Sequence, residues 1–174
     1  MKNIIATFVL LFSYSLHTDS NFLKDTLVKR NQFVIALQKV TSQVIKNNPD
    51  INHIQAIDIA RVIVKETDKH KIPKNIFTAI LAQESMYKLS AKRCNINRCT
   101  DLGISQIHHL TVKRYNFDKK LLLTNLSYSV GAGCIVLKDF MKRYGNKEKN
   151  WYSRYNSSNP NARRKYEKLI KRFL

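Results

Sequence analysis

The chain has 174 residues, 44% of them hydrophobic, with 31 Lys+Arg against 12 Asp+Glu and a formal net charge of +19. That length suits one domain burying about 70% of its unfolded surface, and a content of only 4 Gly and 3 Pro excludes a collagen-like or turn-rich all-β chain. The charge points to an anionic partner (nucleic acid, acidic lipid or a polymer such as cell wall) without choosing among them.

At the N-terminus Lys2 precedes an apolar run over 4–12, and Ser13 and Ser15 fill the two small-residue positions that a signal peptidase reads. Residues 1–15 therefore read as a signal peptide cut before Leu16. The run is shorter than the roughly 20 residues of a membrane span; a buried helix or an uncleaved anchor is the alternative. Export to a periplasm or cell envelope weakens the nucleic-acid explanation of the charge. No nucleic acid is expected as a partner.

Apolar residues at Leu23, Leu27, Phe33, Val34, Leu37, Val40 and Val44 predict an amphipathic helix over 21–46. Asn47 to Asp50 break it, and a second helix is expected over 54–69. Pro73 suits the first turn of a third, over 75–89, the most apolar part of the chain beyond the signal peptide. Residues 91–101 are polar and irregular. Cys94 and Cys99 there could close a disulfide in an oxidising compartment, leaving Cys134 as a small buried hydrophobe. C-x4-C beside His108 and His109 is a poor zinc set, so no metal is expected. Residues 102–107 alternate as a short strand or hairpin arm would. A further helix covers 127–144, where Gly131 and Gly133 imply close packing of another backbone. A loop over 156–161 leads to a basic helix over 162–174.

Of the four glutamates, Glu66, Glu148 and Glu167 have polar neighbours and read as solvated. Glu84 does not. Phe77, Ile80 and Leu81 before it and Tyr87 after it share its face at helical spacing. An apolar stripe disfavours the carboxylate and raises its pKa, which suits a general acid. A glutamate snorkelling from the stripe's edge would give the same spacing.

The order Glu84-Ser85, Gly103-Ile104-Ser105-Gln106-Ile107, then Tyr155-Asn156 resembles the three signature segments of lytic transglycosylases with a soluble-transglycosylase (SLT) domain. Ile72-Pro73 through Ile80 is similar to that family's lead-in to its catalytic Glu. Asp101 through Ile107 is similar to the secretion- and conjugation-associated members. Asn125-Leu126 with Ser129 to Gly133 looks like the following helix. The resemblance covers about 55–158, leaving out the basic C-terminal helix. Ser105 stands where the family usually has Met, and Ser157-Ser158 where Ala-Gly is common.

The resemblance implies an α+β, mainly α-helical, lysozyme-like fold with a small β element. Residues 1–15 would be the signal peptide, 16–50 an N-terminal helical extension, and 51–174 the lysozyme-like domain. The implied substrate is peptidoglycan, cleaved at the MurNAc–GlcNAc β-1,4 bond with formation of 1,6-anhydroMurNAc and no cofactor. Glu84 would be the acid, and Ser85 and Gln106 would hold site and substrate. Gly103 would let backbone approach the sugar, and Tyr155 and Asn156 would line the cleft. Trp151 and Tyr152 read as stacking faces or core, and His108 and His109 as surface. Asp101 keeps open a goose-type-like muramidase, in which a second carboxylate activates water; a non-catalytic basic wall-binding protein is the other alternative. Residues 138–174 hold 12 Lys+Arg against 3 Asp+Glu, a basic end suited to wall polymer or a membrane surface. A secretion or conjugation apparatus is the implied protein partner.

Overall fold

The computed structural model describes the backbone of residues 2–95 and 98–174, and the side chains of 21–94 and 100–174. Among the described residues, seven helices and a small sheet run in the order α1 (Lys2–Asn47), α2 (His53–His70), α3 (Lys74–Ser85), β1 (Lys92–Asn95), β2 (Arg98–Leu102), β3 (Ile107–His108), α4 (His109–Tyr115), α5 (Lys119–Thr124), α6 (Leu126–Tyr144) and α7 (Pro160–Phe173), with a 3-10 turn at Trp151–Tyr155 before α7. The class is the α+β, mainly helical one expected.

The chain divides into two compact units, Met1–Ala36 and Leu37–Leu174. In the first, Phe22, Leu23 and Leu27 are exposed, so this part of the predicted amphipathic face is not a buried stripe. The side chains of the proposed signal peptide lie outside the described residues. Among the described residues no helix is long and apolar enough to cross a membrane. The second unit begins inside α1 rather than after it, because Val40, Val44 and Asn47 of its last turns are buried.

In α2, Ala56, Ile59, Ala60, Ile63 and Val64 are buried, and the helix packs on α6. Pro73 caps α3, whose residues 77–82 are all buried, which makes it the central helix. It stops at Ser85, four residues short of the prediction, because Met86 and Tyr87 take φ of 50° and 64°. Tyr87 consequently leaves the helical face of Glu84 and turns into the core. There its hydroxyl donates to the Thr78 carbonyl at 3.2 Å.

The polar stretch read as irregular is a hairpin. β1 pairs antiparallel with β2, with Cα partners Lys92↔Leu102, Arg93↔Asp101 and Cys94↔Cys99. β3 adds a third strand through Asp101↔His108 and Leu102↔Ile107. Only the ends of the predicted strand over 102–107 are in the sheet. Residues 103–106 form a tight turn, closed by the Gln106 N–H on the Gly103 carbonyl at 3.0 Å.

Both glycines of α6 are close-approach positions, against side chains rather than another backbone. A Cβ on Gly131 would lie 3.2 Å from Glu66 Oε2, and one on Gly133 2.5 Å from Ser105 Oγ and 2.9 Å from Phe77 Cζ. Glu66 is therefore not solvated as its neighbours in sequence suggest. It is 6% exposed, near Lys69 at 3.6 Å and His70 at 3.8 Å, and accepts from Ser127 Oγ at 3.4 Å. Glu148 is also drawn in, paired with Arg154 and Arg163.

Candidate active site

The end of α3, the hairpin, the 103–106 turn and the 3-10 turn enclose a cleft of about 360 Å3. Its lining includes Glu84, Arg93, Asp101, Gln106, Tyr155 and Asn156, and it is of a size suited to a small ligand segment.

Glu84, the penultimate residue of α3, is half-buried at the cleft. Burial pushes its carboxyl up to about 7, since an anion loses hydration there. The Tyr166 hydrogen bond and the charge of Arg93 pull the other way, and Asp101 adds to the rise. Tyr166 Oη donates to Glu84 Oε1 at 2.6 Å. Burial and the neighbouring Glu84 hold the Tyr166 phenol well above its ordinary value, so it stays a donor.

Ser85 and Gly103 stand behind the cleft. Ser85 Oγ donates to the Ile104 carbonyl at 2.7 Å, fastening the 103–106 turn to the end of α3. Gly103 has φ +75°, and a Cβ there would lie 2.2 Å from the Leu122 carbonyl oxygen and 2.4 Å from Ser129 Oγ. Its bare Cα thus faces the chain's own backbone.

Gln106, at φ 45°, donates from Nε2 to the carbonyls of Gly103 at 2.8 Å and Ala91 at 3.1 Å. Those bonds join the turn to the start of the hairpin and fix the amide at the cleft wall. Ser105 faces away: fully buried, it donates to the Ser129 carbonyl at 2.9 Å beneath α6. The small residue fits because Gly133 approaches it. Tyr155 Oη donates to the Ser105 carbonyl at 2.8 Å, closing the far side, and Asn156 is exposed at the rim.

Asp101 shares the cleft, and its Oδ2 is 3.6 Å from Arg93 Nη1 and accepts from Thr100 Oγ1 at 3.2 Å. Trp151 and Tyr152 are core residues, at 8% and 5% exposure. His108 is exposed on the cleft lining, and His109 is half-buried. Sequence reasoning missed Tyr166. It lies on the basic helix left outside the motif resemblance, and the only signal for it was its place with Ile170 on that helix's apolar side.

A family model for the transglycosylase SLT domain matches residues 61–171, well over half of the chain. The chain belongs to the transglycosylase SLT domain family. The match reaches 171, so Tyr166 and most of α7 fall within the SLT domain. The chain is also similar to the invasion protein IagB of Salmonella typhimurium (strain SL1344) and of Salmonella typhi. Each is 38% identical over 77 residues, which is 42% of this chain and 48% of the relative. The chain spans about half the length of these curated relatives. No solved structure matches it at comparable significance.

Proposed function

We propose that this SLT domain is a peptidoglycan lytic transglycosylase with Glu84 as its acid and base. The observation that carries this reading is a half-buried carboxyl with a pKa of about 7 on the wall of a polar cleft. The neutral Glu84 gives its proton to the glycosidic oxygen as the bond from MurNAc C1 breaks. The MurNAc C6 hydroxyl then closes on C1, and its proton returns to the Glu84 carboxylate, leaving a 1,6-anhydro end. One carboxyl suffices because the nucleophile belongs to the substrate. Tyr155 and Asn156 line the groove for the glycan strand, Gln106 holds its wall, and Ser85 and Gly103 brace the turn behind.

Asp101 in the same cleft favours a second reading, hydrolysis with Asp101 directing water. Its Oδ2 already accepts from Thr100 Oγ1 and lies 3.6 Å from Arg93 Nη1. Mass spectrometry of muropeptides released from purified sacculi separates the two. Anhydro ends support the transglycosylase, and reducing ends support the hydrolase. Full lysis by Glu84→Gln would overturn both.

The substrate implies action outside the cytoplasm, consistent with residues 1–15 as a signal peptide. A disulfide between Cys94 and Cys99 would then lock the hairpin that carries Arg93 and Asp101; their Cα atoms are register partners, and Cys94 is disulfide-bonded. The side chain of Cys99 lies outside the described residues. The basic end, 138–174, would hold the enzyme to wall polymer or a membrane surface. A secretion or conjugation apparatus remains the proposed setting.

A further inference from the structure

Glu84 comes from α3 and Tyr166 from α7, so their contact depends on how those two helices are held together. Both are tied to the last turns of α1. Gln43 Nε2 donates to the Asn75 carbonyl in α3 at 3.1 Å and to the Phe173 carbonyl at the end of α7 at 3.0 Å. Asn47 Nδ2 donates to the Tyr87 hydroxyl just past α3 at 3.2 Å and to the same Phe173 carbonyl at 3.1 Å. Each amide nitrogen carries two hydrogens, and each gives one to α3 or the residue just past it and one to α7. The Phe173 carbonyl belongs to the last turn, where no intrahelical donor is left, so it is free to accept both.

This polar clamp adds to an apolar packing of α7 on α3 that rests on few buried side chains. Among its 14 residues only Tyr166 and Ile170 are buried. Its other described tie to the body is Arg163, which pairs with Glu148 and donates to Ser153 Oγ at 3.2 Å.

Resting on the assignment of Glu84 as the acid, we propose that Gln43 and Asn47 are positioning residues, which keep the Tyr166 hydroxyl on Glu84 Oε1 by clamping α7 to α3. With Oε1 occupied by that donor, Oε2 is the oxygen that carries the transferable proton. The end of the N-terminal helix thereby sets the protonation of a carboxyl with which it has no direct hydrogen bond.

The test follows the Glu84 carboxyl directly, by NMR titration of the full chain labelled with 13C at its four glutamates. Tyr166→Phe removes a hydrogen bond to the anion and moves the Glu84 midpoint up by about one pH unit. Gln43→Met with Asn47→Leu moves it in the same direction by a smaller amount. Added to Tyr166→Phe, the pair moves it no further, as expected of residues acting through one contact. Where the pair impairs folding, Gln43→Met alone serves. A midpoint unchanged by the clamp variants, or an equal extra shift in the Tyr166→Phe background, overturns the proposal. Because the readout is a titration, it stands apart from the function reading, which loss or retention of sacculus lysis by Glu84→Gln decides.

Discussion

Replacing Glu84 by Gln separates the cost of keeping this acid from its use. The folded carboxyl holds its proton to about pH 7, whereas an unfolded one loses it near the ordinary value of 4.5. Between those values the folded state binds more protons, so wild-type stability falls as pH rises through the window and is lowest above 7. The displacement corresponds to about 3 kcal/mol, an upper bound because the group is partly exposed. Gln does not titrate, and its carbonyl oxygen still accepts from Tyr166. Its unfolding free energy relative to wild type should therefore climb by up to about 3 kcal/mol from pH 4 to pH 8. Urea unfolding at a series of pH values reads this, provided the denaturant slope stays the same in both proteins. A difference flat to within about 1 kcal/mol across that range would refute the claim that Glu84 is held neutral by burial.

Gly103→Ala should destabilise by more than about 2 kcal/mol, since a left-handed φ and a Cβ 2.2 Å from the Leu122 carbonyl oxygen leave no room; a lowered Tm checks this, and an unchanged Tm contradicts it. Ser85→Ala, which releases the Ile104 carbonyl, should cost about 1 kcal/mol of stability and a larger fraction of sacculus turnover, as the 103–106 turn loosens from Glu84; parallel thermal melts and lysis rates measure the two. Raised salt should weaken sacculus binding through the basic end more than it slows cleavage of short glycans. Equal effects in pull-down and product assays would remove the wall-anchoring role.

The longer helices were legible because each carries its own apolar spacing beside a breaker, as Asn47 to Asp50 and Pro73 do for α2 and α3; α4 and α5, of 7 and 6 residues, are too short to show a period. Glu84 was legible because a carboxyl on the Phe77–Ile80–Leu81 stripe conflicts with its surroundings. The hairpin was not, since Lys92 to Asp101 lacks an apolar row and is held by backbone pairing. Glu66 was not, because its burial depends on Gly131, which lies 65 residues later and leaves space for the carboxylate. The early end of α3 depends on two left-handed residues, Met86 and Tyr87, neither of which is glycine. Local propensity gives no warning of those.

Tyr166, Gln43 and Asn47 escaped for a related reason: each matters through a partner on a distant helix. That distribution bears on the chemistry. The proposed reaction uses Glu84 first as an acid and then as a base, so neither protonation state can be strongly favoured at the working pH. The core of α3 supplies the raising influence, which local sequence displays. The lowering influences come from Tyr166 on α7 and Arg93 on the hairpin, and they arrive only when the chain closes on itself. Burial alone would raise the pKa until the carboxyl gives up its proton too reluctantly. The hydrogen bond from α7 favours the carboxylate and so lowers that pKa again, and it depends on the two ends of the 37–174 unit being joined at Phe173.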